Sequence, residues 1–535
     1  MNKKKILFLL LWVLLSAKIT FSQIRFHHLI GGPDNDRAQT VFNTFDNGYI
    51  LNGASFSFGV GDVDANLIKT DIQGQVLWSK AYGTSAYDNS EFAIETFDHN
   101  IVCTGRSNIQ NGFPTSAIIF KTDSAGNLIW SKSFGGLAND GFAQVIETSD
   151  NGYALVGNSE STSSGSSDVL LVKTNINGDT IFSRSYGTIE NEAGTSVIQL
   201  PDNGFVICGR QITFPGGNQS SDGLLLRTDA AGNLLWSKLY GDSLLDELTA
   251  LQLLADGGYI VTGSTSTFGQ GGYDILLMKS DNNGNLVWSK TFGGNKTEAA
   301  YDIHINPDSS FFLSGYTESY GSGNERGDDS SNVFLMKTNV NGDFLWMEVY
   351  GDGLQDEAFR SAKANDGGYI IPGFTTNYLF NDSSQMLFIK TDSLGISGCH
   401  EEGITPVDSF IVMPVQNITL NVLGGISVSN LALTETTFTP DLDDACLFAS
   451  VNRNELTEKL NVFPNPFNER IEIKVDNYSQ GSELLIADLY GKEIKSLKIN
   501  SSSIIFQTNE LEKGAYIFSL KNGNKVEKGI LVIKN

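Results

Sequence analysis

The feature that most constrains this chain is a phrase that returns seven times. K-T-D-x-x-G-N-L-x-W-S-K-x-[FY]-G recurs with small changes, its basic residue falling at Lys69, Lys121, Lys173, Arg227, Lys279, Lys337 and Lys390. The intervals are 52, 52, 54, 52, 58 and 53 residues. A glycine follows each by five residues, at Gly74, Gly126, Gly178, Gly232, Gly284, Gly342 and Gly395. An aromatic comes next at Trp78, Trp130, Phe182, Trp236, Trp288 and Trp346. Repetition at such a period means one supersecondary unit stacked on copies of itself.

The fifth copy shows what the unit is. Thr249–Leu254, Tyr259–Ser264, Asp274–Lys279 and Leu286–Phe292 read as four short strands, punctuated by Ala255-Asp256-Gly257-Gly258 and Asp281-Asn282-Asn283-Gly284. An antiparallel sheet of that size cannot cover both its faces alone. Radial stacking covers them and leaves only short edges, so residues 23–399 are expected to form a seven-bladed β-propeller in an all-β chain. The seventh copy lacks its fourth strand. Ile24–Gly32 aligns with Leu286–Gly294, Phe26 standing where Trp288 stands, so the N-terminal strand is expected to complete the last blade and close the ring.

Charge narrows the function. The chain has 36 basic and 61 acidic residues, a net of −25, and residues 23–450 alone hold 20 and 50. A body that negative repels phosphate backbones, which excludes nucleic acid as a partner. Residues 1–22 read as a secretory signal peptide: Lys3-Lys4-Lys5, an apolar run from Ile6 to Leu15, then small residues before Gln23. No other stretch approaches a membrane-spanning length, so the mature protein is expected to carry no transmembrane segment.

An acidic position repeats five residues after the glycine that ends each fourth strand: Asp36, Asp88, Asp140, Glu192, Asp246, Glu298 and Asp356. Such a ring could hold cations or amines at a negatively charged mouth, or each carboxylate could accept backbone N–H groups of its own turn. A position fixed in every blade favours the structural role. Asp64, Asp168, Asp222 and Asp274 open the third strands after glycine-rich loops that lack the oxygen series of a calcium loop. No metal or other cofactor is expected. The D-x-x-G-x-x-x-W segments, Asp71–Trp78 and its copies, are similar to the Asp-box of sialidase-type propellers, one residue longer on each side of the glycine. Arg106 and Arg210 occupy equivalent positions rather than forming that family's arginine cluster, and His304 stands alone. No nucleophile motif is present, and no enzymatic activity is expected; a polysaccharide hydrolase remains the catalytic alternative.

Cys103 and Cys208 fall in second strands of blades that are not neighbours and read as buried thiols. Cys399 and Cys446 bracket a β-rich extension, residues 400–450, and in an exported protein they are expected to form a disulfide that pins it to the propeller. Composition shifts near Val451, and alternating strands from there to the C-terminus read as a small antiparallel β-sandwich.

This last region resembles a known family. N-V-F-P-N-P-F from Asn461, L-L-I-A-D-L-Y-G-K-E-I from Leu484, L-E-K-G-A-Y-I-F-S-L from Leu511 and the terminal K-G-I-L-V-I-K-N look like the type A C-terminal sorting domain of the type IX (Por) secretion system. The resemblance implies a Bacteroidota cell-surface or secreted protein, with residues 451–535 addressing the type IX secretion machinery. For the propeller the expectation is a binding or adhesion platform for an extracellular glycan or protein, the alternative being a structural surface or matrix component.

Overall fold

The computed structural model describes residues 23–444 apart from 109–113, 322–329, 352–354, 377–382 and 400, and within 459–534 the strands and a few connecting residues. The expected signal peptide, residues 1–22, lies outside the described residues. The chain divides into two units, 1–445 and 446–535, five residues before the boundary that composition suggests.

The first unit is a seven-bladed β-propeller. In six blades four consecutive strands pair antiparallel in chain order, as in blade 5: Asp246–Leu253, Tyr259–Thr265, Asp274–Ser280 and Leu286–Gly293. Blade 7 takes its fourth strand from the N-terminus: Phe26–Gly31 pairs with Ser384–Lys390 in the register Phe26↔Lys390 to Ile30↔Met386. The first strand of each blade is innermost, and apolar residues of adjoining sheets meet at the seams, Val206, Leu225 and Tyr240 of blade 4 against Leu251, Tyr259 and Leu276 of blade 5.

The repeated phrase is a set of joints between blades. Its aspartate or asparagine builds the turn before the fourth strand: Asp71 accepts the N–H groups of Gln73 and Gln75, each at 2.9 Å. Gly126 has φ +76°, and a Cβ there would lie 2.8 Å from the Trp78 ring of the preceding blade. The position therefore requires glycine both for its backbone and for its neighbour. Tyr82 donates from its hydroxyl to the Gly126 carbonyl at 2.5 Å, and Lys80 Nζ lies 2.7 Å from Asn127 Oδ1. Tryptophan, lysine and tyrosine of one blade thus grip the turn of the next.

The segment expected to be a modest extension is a belt around the whole ring. Seven short strands between Glu401 and Asp444 add a fifth, outermost strand to blades 6, 5, 4, 3, 2, 1 and 7 in that order. Successive strands begin six to eight residues apart, a reach of roughly 20–26 Å of extended chain per blade. Ile411 and Met413 pack on the seam of blades 4 and 5, Ile418 and Leu420 on that of 3 and 4, and Leu431 and Leu433 on that of 1 and 2. The serine of W-S-K receives the belt: Ser289 Oγ donates to Ile411 O at 2.9 Å and Ser237 Oγ to Ile418 O at 2.7 Å. The belt covers the outer sheet edges that would otherwise template aggregation. Cys399, at its start, is disulfide-bonded, whereas Cys103 and Cys208 are free and buried; the expected partner Cys446 lies outside the described residues.

The second unit contains a three-stranded and a four-stranded antiparallel sheet. Ile471, Ile473, Leu484, Ile486 and Phe518 are fully buried in it. Among the described residues no helix is long and apolar enough to cross a membrane.

Candidate functional site: the axial cavity

The acidic ring lies at the start of the innermost strands, where its carboxylates organise their own turns. Asp36 accepts Gly32 N–H at 2.8 Å, Asp88 accepts Thr84 N–H at 2.6 Å, and Asp140 accepts Gly136 N–H at 3.2 Å. Glu192, Asp246 and Glu298 accept the equivalent N–H from Thr188, Asp242 and Gly294 at 3.0, 3.1 and 2.7 Å. Asp356 is buried at the same position. Second-strand groups complete the shell, Gln211 Nε2 at 2.6 Å from Glu192 and Thr317 Oγ1 at 2.9 Å from Glu298. Burial raises the carboxyls of Asp36, Asp88, Asp246 and Glu298 in spite of these donors.

The third-strand aspartates form a second acidic layer behind the ring. Asp64 accepts amides of its own loop, Val60 N–H at 3.0 Å and Gly61 N–H at 2.9 Å, and Asp274 accepts Gln270 N–H at 3.0 Å. Burial, helped by the adjoining ring acid, pushes Asp64, Asp168 and Asp222 up to about 6. Where a third-strand aspartate meets the ring acid, the glycine ending the fourth strand makes room for both: a Cβ at Gly83 would stand 1.7 Å from Asp64 Oδ1, and at Gly293 1.8 Å from Asp274 Oδ1. Among the described residues no three acids, histidines or cysteines are grouped to hold a metal.

Beneath the ring, on the axis, the symmetry breaks. In blades 1 to 6 the innermost strand carries a β-bulge three residues after the ring acid, at Gln39, Glu91, Ala143, Thr195, Thr249 and Tyr301. In blade 7 the strand is interrupted after Ala358, and Phe359 stands at this level. A bulge re-aims its residue, and all seven of these line a cavity of about 840 Å³. The frame around them is uniform; they are not.

The cavity has two unlike walls. Blades 6 and 7 present aromatics: Tyr301 has ring centroids 6.0 Å from Tyr316 and 5.6 Å from Phe359, which is 6.0 Å from Phe374. Across the ring, blades 3 and 4 present Ala143, Ala193 and Gly194. Four of the eight arginines between residues 23 and 450 gather here: Arg37, Arg106, Arg210 and Arg360. Equivalent positions on different blades point to one axis, so Arg106 and Arg210 do form a group, contrary to the reading from sequence. Arg210 Nη1 lies 2.6 Å from Glu247 Oε2, and the Arg37 guanidinium stacks 4.5 Å from the Phe374 ring centre. Arg360 spans the axis from blade 7, its Nη2 donating to Thr195 O at 2.7 Å and Thr249 O at 3.2 Å.

His304 is not alone. Its Nε2 lies 2.8 Å from Asp302 Oδ2 and 2.9 Å from Ser361 O, tying blade 6 to blade 7. Burial opposes the imidazolium, but Asp302 outweighs it and holds the ring above its usual value.

Residues 461–534 match the family described as the secretion system C-terminal sorting domain. "Regulatory protein FlaEY" of Caulobacter vibrioides is 28% identical over 165 residues, which cover 26% of this chain and 17% of that protein. The chain therefore spans under a fifth of the length of this curated relative. Among solved structures, the extracellular domain of the two-component system BT3049 from B. thetaiotaomicron is 9% identical at a TM-score of 0.37, covering 94% of this chain and 56% of that one. PorZ of Porphyromonas gingivalis, described as an essential surface component of the type IX secretion system, is 9% identical at a TM-score of 0.36, covering 94% and 60%.

Proposed function

We propose that this chain, a β-propeller whose C-terminal sorting domain consigns it to the type IX secretion system, works outside the cell as a non-catalytic binding platform. Its ligand is an extracellular glycan or protein segment taken into the axial cavity. One observation carries this reading: positions that hold the blades together repeat around the ring, while the bulged positions lining the cavity differ from blade to blade. Structural necessity explains the first set and not the second. The volume lies within the range of small-molecule sites, about 300–1,000 Å³, and suits a few sugar rings or an extended peptide rather than a folded surface. Of the glutamates on the lining, Glu247 is occupied by Arg210 and by Ser264, whose hydroxyl lies 3.1 Å away, which supports a positioning role for Glu247 over acid–base chemistry.

The test is an array of extracellular glycans and proteins probed with the mature protein and with a Tyr301→Ala/Phe359→Ala variant, beside a hydrolase screen. Retention of a ligand that the variant loses, without turnover, is expected. A ligand held equally by the variant, or hydrolysed, contradicts the reading. Deleting residues 452–535 is expected to strand a folded propeller in the periplasm, read by cell fractionation.

A further inference from the structure

Resting on the axial cavity as the binding site, we infer that its ligand is an acidic saccharide, whose carboxylate is held by Arg106 while its ring stacks on the aromatic wall. The molecule offers acids in excess, and the basic residues of its repeats and, Arg106 apart, its other described arginines find partners. The basic residue of every repeat meets an aspartate, from Lys69 with Asp46 to Lys390 with Asp366. Arg25 and Arg210 pair with acids, Arg37 and Arg184 stack on rings, Arg227 pairs with Asp202, and Arg360 donates to carbonyls. Among the described residues Arg106 is the one arginine with no ion pair, hydrogen bond or ring contact, in a body with 50 acids.

Arg106 is nevertheless placed. Its stem lies across the neighbouring blade's innermost strand at Gly141, where a Cβ would stand 2.4 Å from Nε. The absence of a side chain at Gly141 leaves the guanidinium room to reach over the cavity it lines. A fork of N–H donors free of protein acceptors matches a ligand carboxylate in two-pronged geometry. The opposite requirement comes from Tyr301 and Phe359, whose half-buried rings offer apolar faces to the C–H face of a pyranose. Glu91 and Gln39, also on the lining, supply an acceptor and an amide for ring hydroxyls. A neutral sugar would leave Arg106 unmatched, and a simple anion would leave the aromatic wall unused.

The experiment is calorimetric titration of the mature protein with trimers of galacturonate, glucuronate and mannuronate, each beside its methyl ester, which keeps the ring and removes the charge. At least one acid is expected to bind tenfold or more tightly than its ester. Arg106→Gln, checked for an unchanged melting temperature, should bring the acid down to the affinity of the ester and leave the ester unmoved. Tyr301→Ala should weaken acid and ester alike. Equal binding of acid and ester, an equal effect of Arg106→Gln on both, or no acid bound at millimolar concentration overturns the inference. If a neutral glycan from the array binds instead and is lost in the Tyr301→Ala/Phe359→Ala variant, the binding platform stands and only the acidic class falls. If the array is empty as well, both fall.

Discussion

Lys173 Nζ lies 2.9 Å from Asp150 Oδ1, with the ammonium buried and the carboxylate largely in solvent. The same pair, basic residue of the repeat to acid of the first turn, occurs in all seven blades at 2.5–3.2 Å. This explains the seven-fold basic residue and yields an asymmetry. Asp150→Asn leaves a buried ammonium uncompensated and is expected to cost about 2–3 kcal/mol, whereas Lys173→Met leaves only a hydrated carboxylate and should cost about 1 kcal/mol or less. Urea unfolding of the two variants decides; equal costs would contradict the burial argument.

Acid should dissolve these joints in a defined window. Burial works against Asp46, Asp98 and Asp150, but their lysine and threonine partners prevail and hold them at about 2. A lowered folded value gives stability that is complete above the unfolded value of about 4 and is lost as pH falls through about 2. The opposite holds for Asp64, Asp168 and Asp222 at about 6. Their protons stay on in the folded state between about 4 and 6, so their contribution falls as pH rises through 6. Stability should therefore peak near pH 4, and Asp222→Asn should raise the pH 7 value by on the order of 2 kcal/mol while flattening the slope between about pH 4 and 6. Blade 6 already uses Asn332 at this position. Melting curves from pH 3 to 8 test both limbs, and an optimum above pH 7 would contradict them.

For the ring, Asp246→Ala should cost about 1–3 kcal/mol, since it strands Asp242 N–H and two threonine hydroxyls. Asp140→Ala should cost a similar amount. Chelator should leave the melting temperature of the parent unchanged. A chelator effect that Asp246→Ala abolishes would make the ring a cation site.

The belt should behave as a separable layer. Met413 is buried in the seam of blades 4 and 5, and Met413→Ala should cost about 2–4 kcal/mol there. Cys399→Ser should speed hydrogen exchange across 401–444 while leaving the innermost strands protected. Uniform acceleration over all strands would show instead that belt and blades unfold as one.

Much of this fold was legible because its joints repeat. Seven copies of one phrase predict seven blades, and Phe26 in place of tryptophan predicts the closing strand. The belt was legible too, in a different period. Ile404/Pro406, Ile411/Met413 and Ile418/Leu420, then Leu431/Leu433 and Phe438/Pro440, recur every seven residues with one slip between, but read as isolated strands they do not announce a ring. The axial cavity was not legible. Its residues sit at bulges, which no alternation of apolar and polar residues marks, and they vary because no joint fixes them. The grouping of Arg37, Arg106, Arg210 and Arg360 is a product of closure, joining residues up to 323 positions apart in the chain.

The most direct test replaces Phe359, on the cavity wall, or Phe97, exposed on the turn at the far end of blade 2's innermost strand, with a photoreactive phenylalanine in the secreting cell. Illumination of intact cells should yield covalent adducts with surface material from position 359 and none from 97. Adducts from position 97 with none from 359 would contradict an axial binding site.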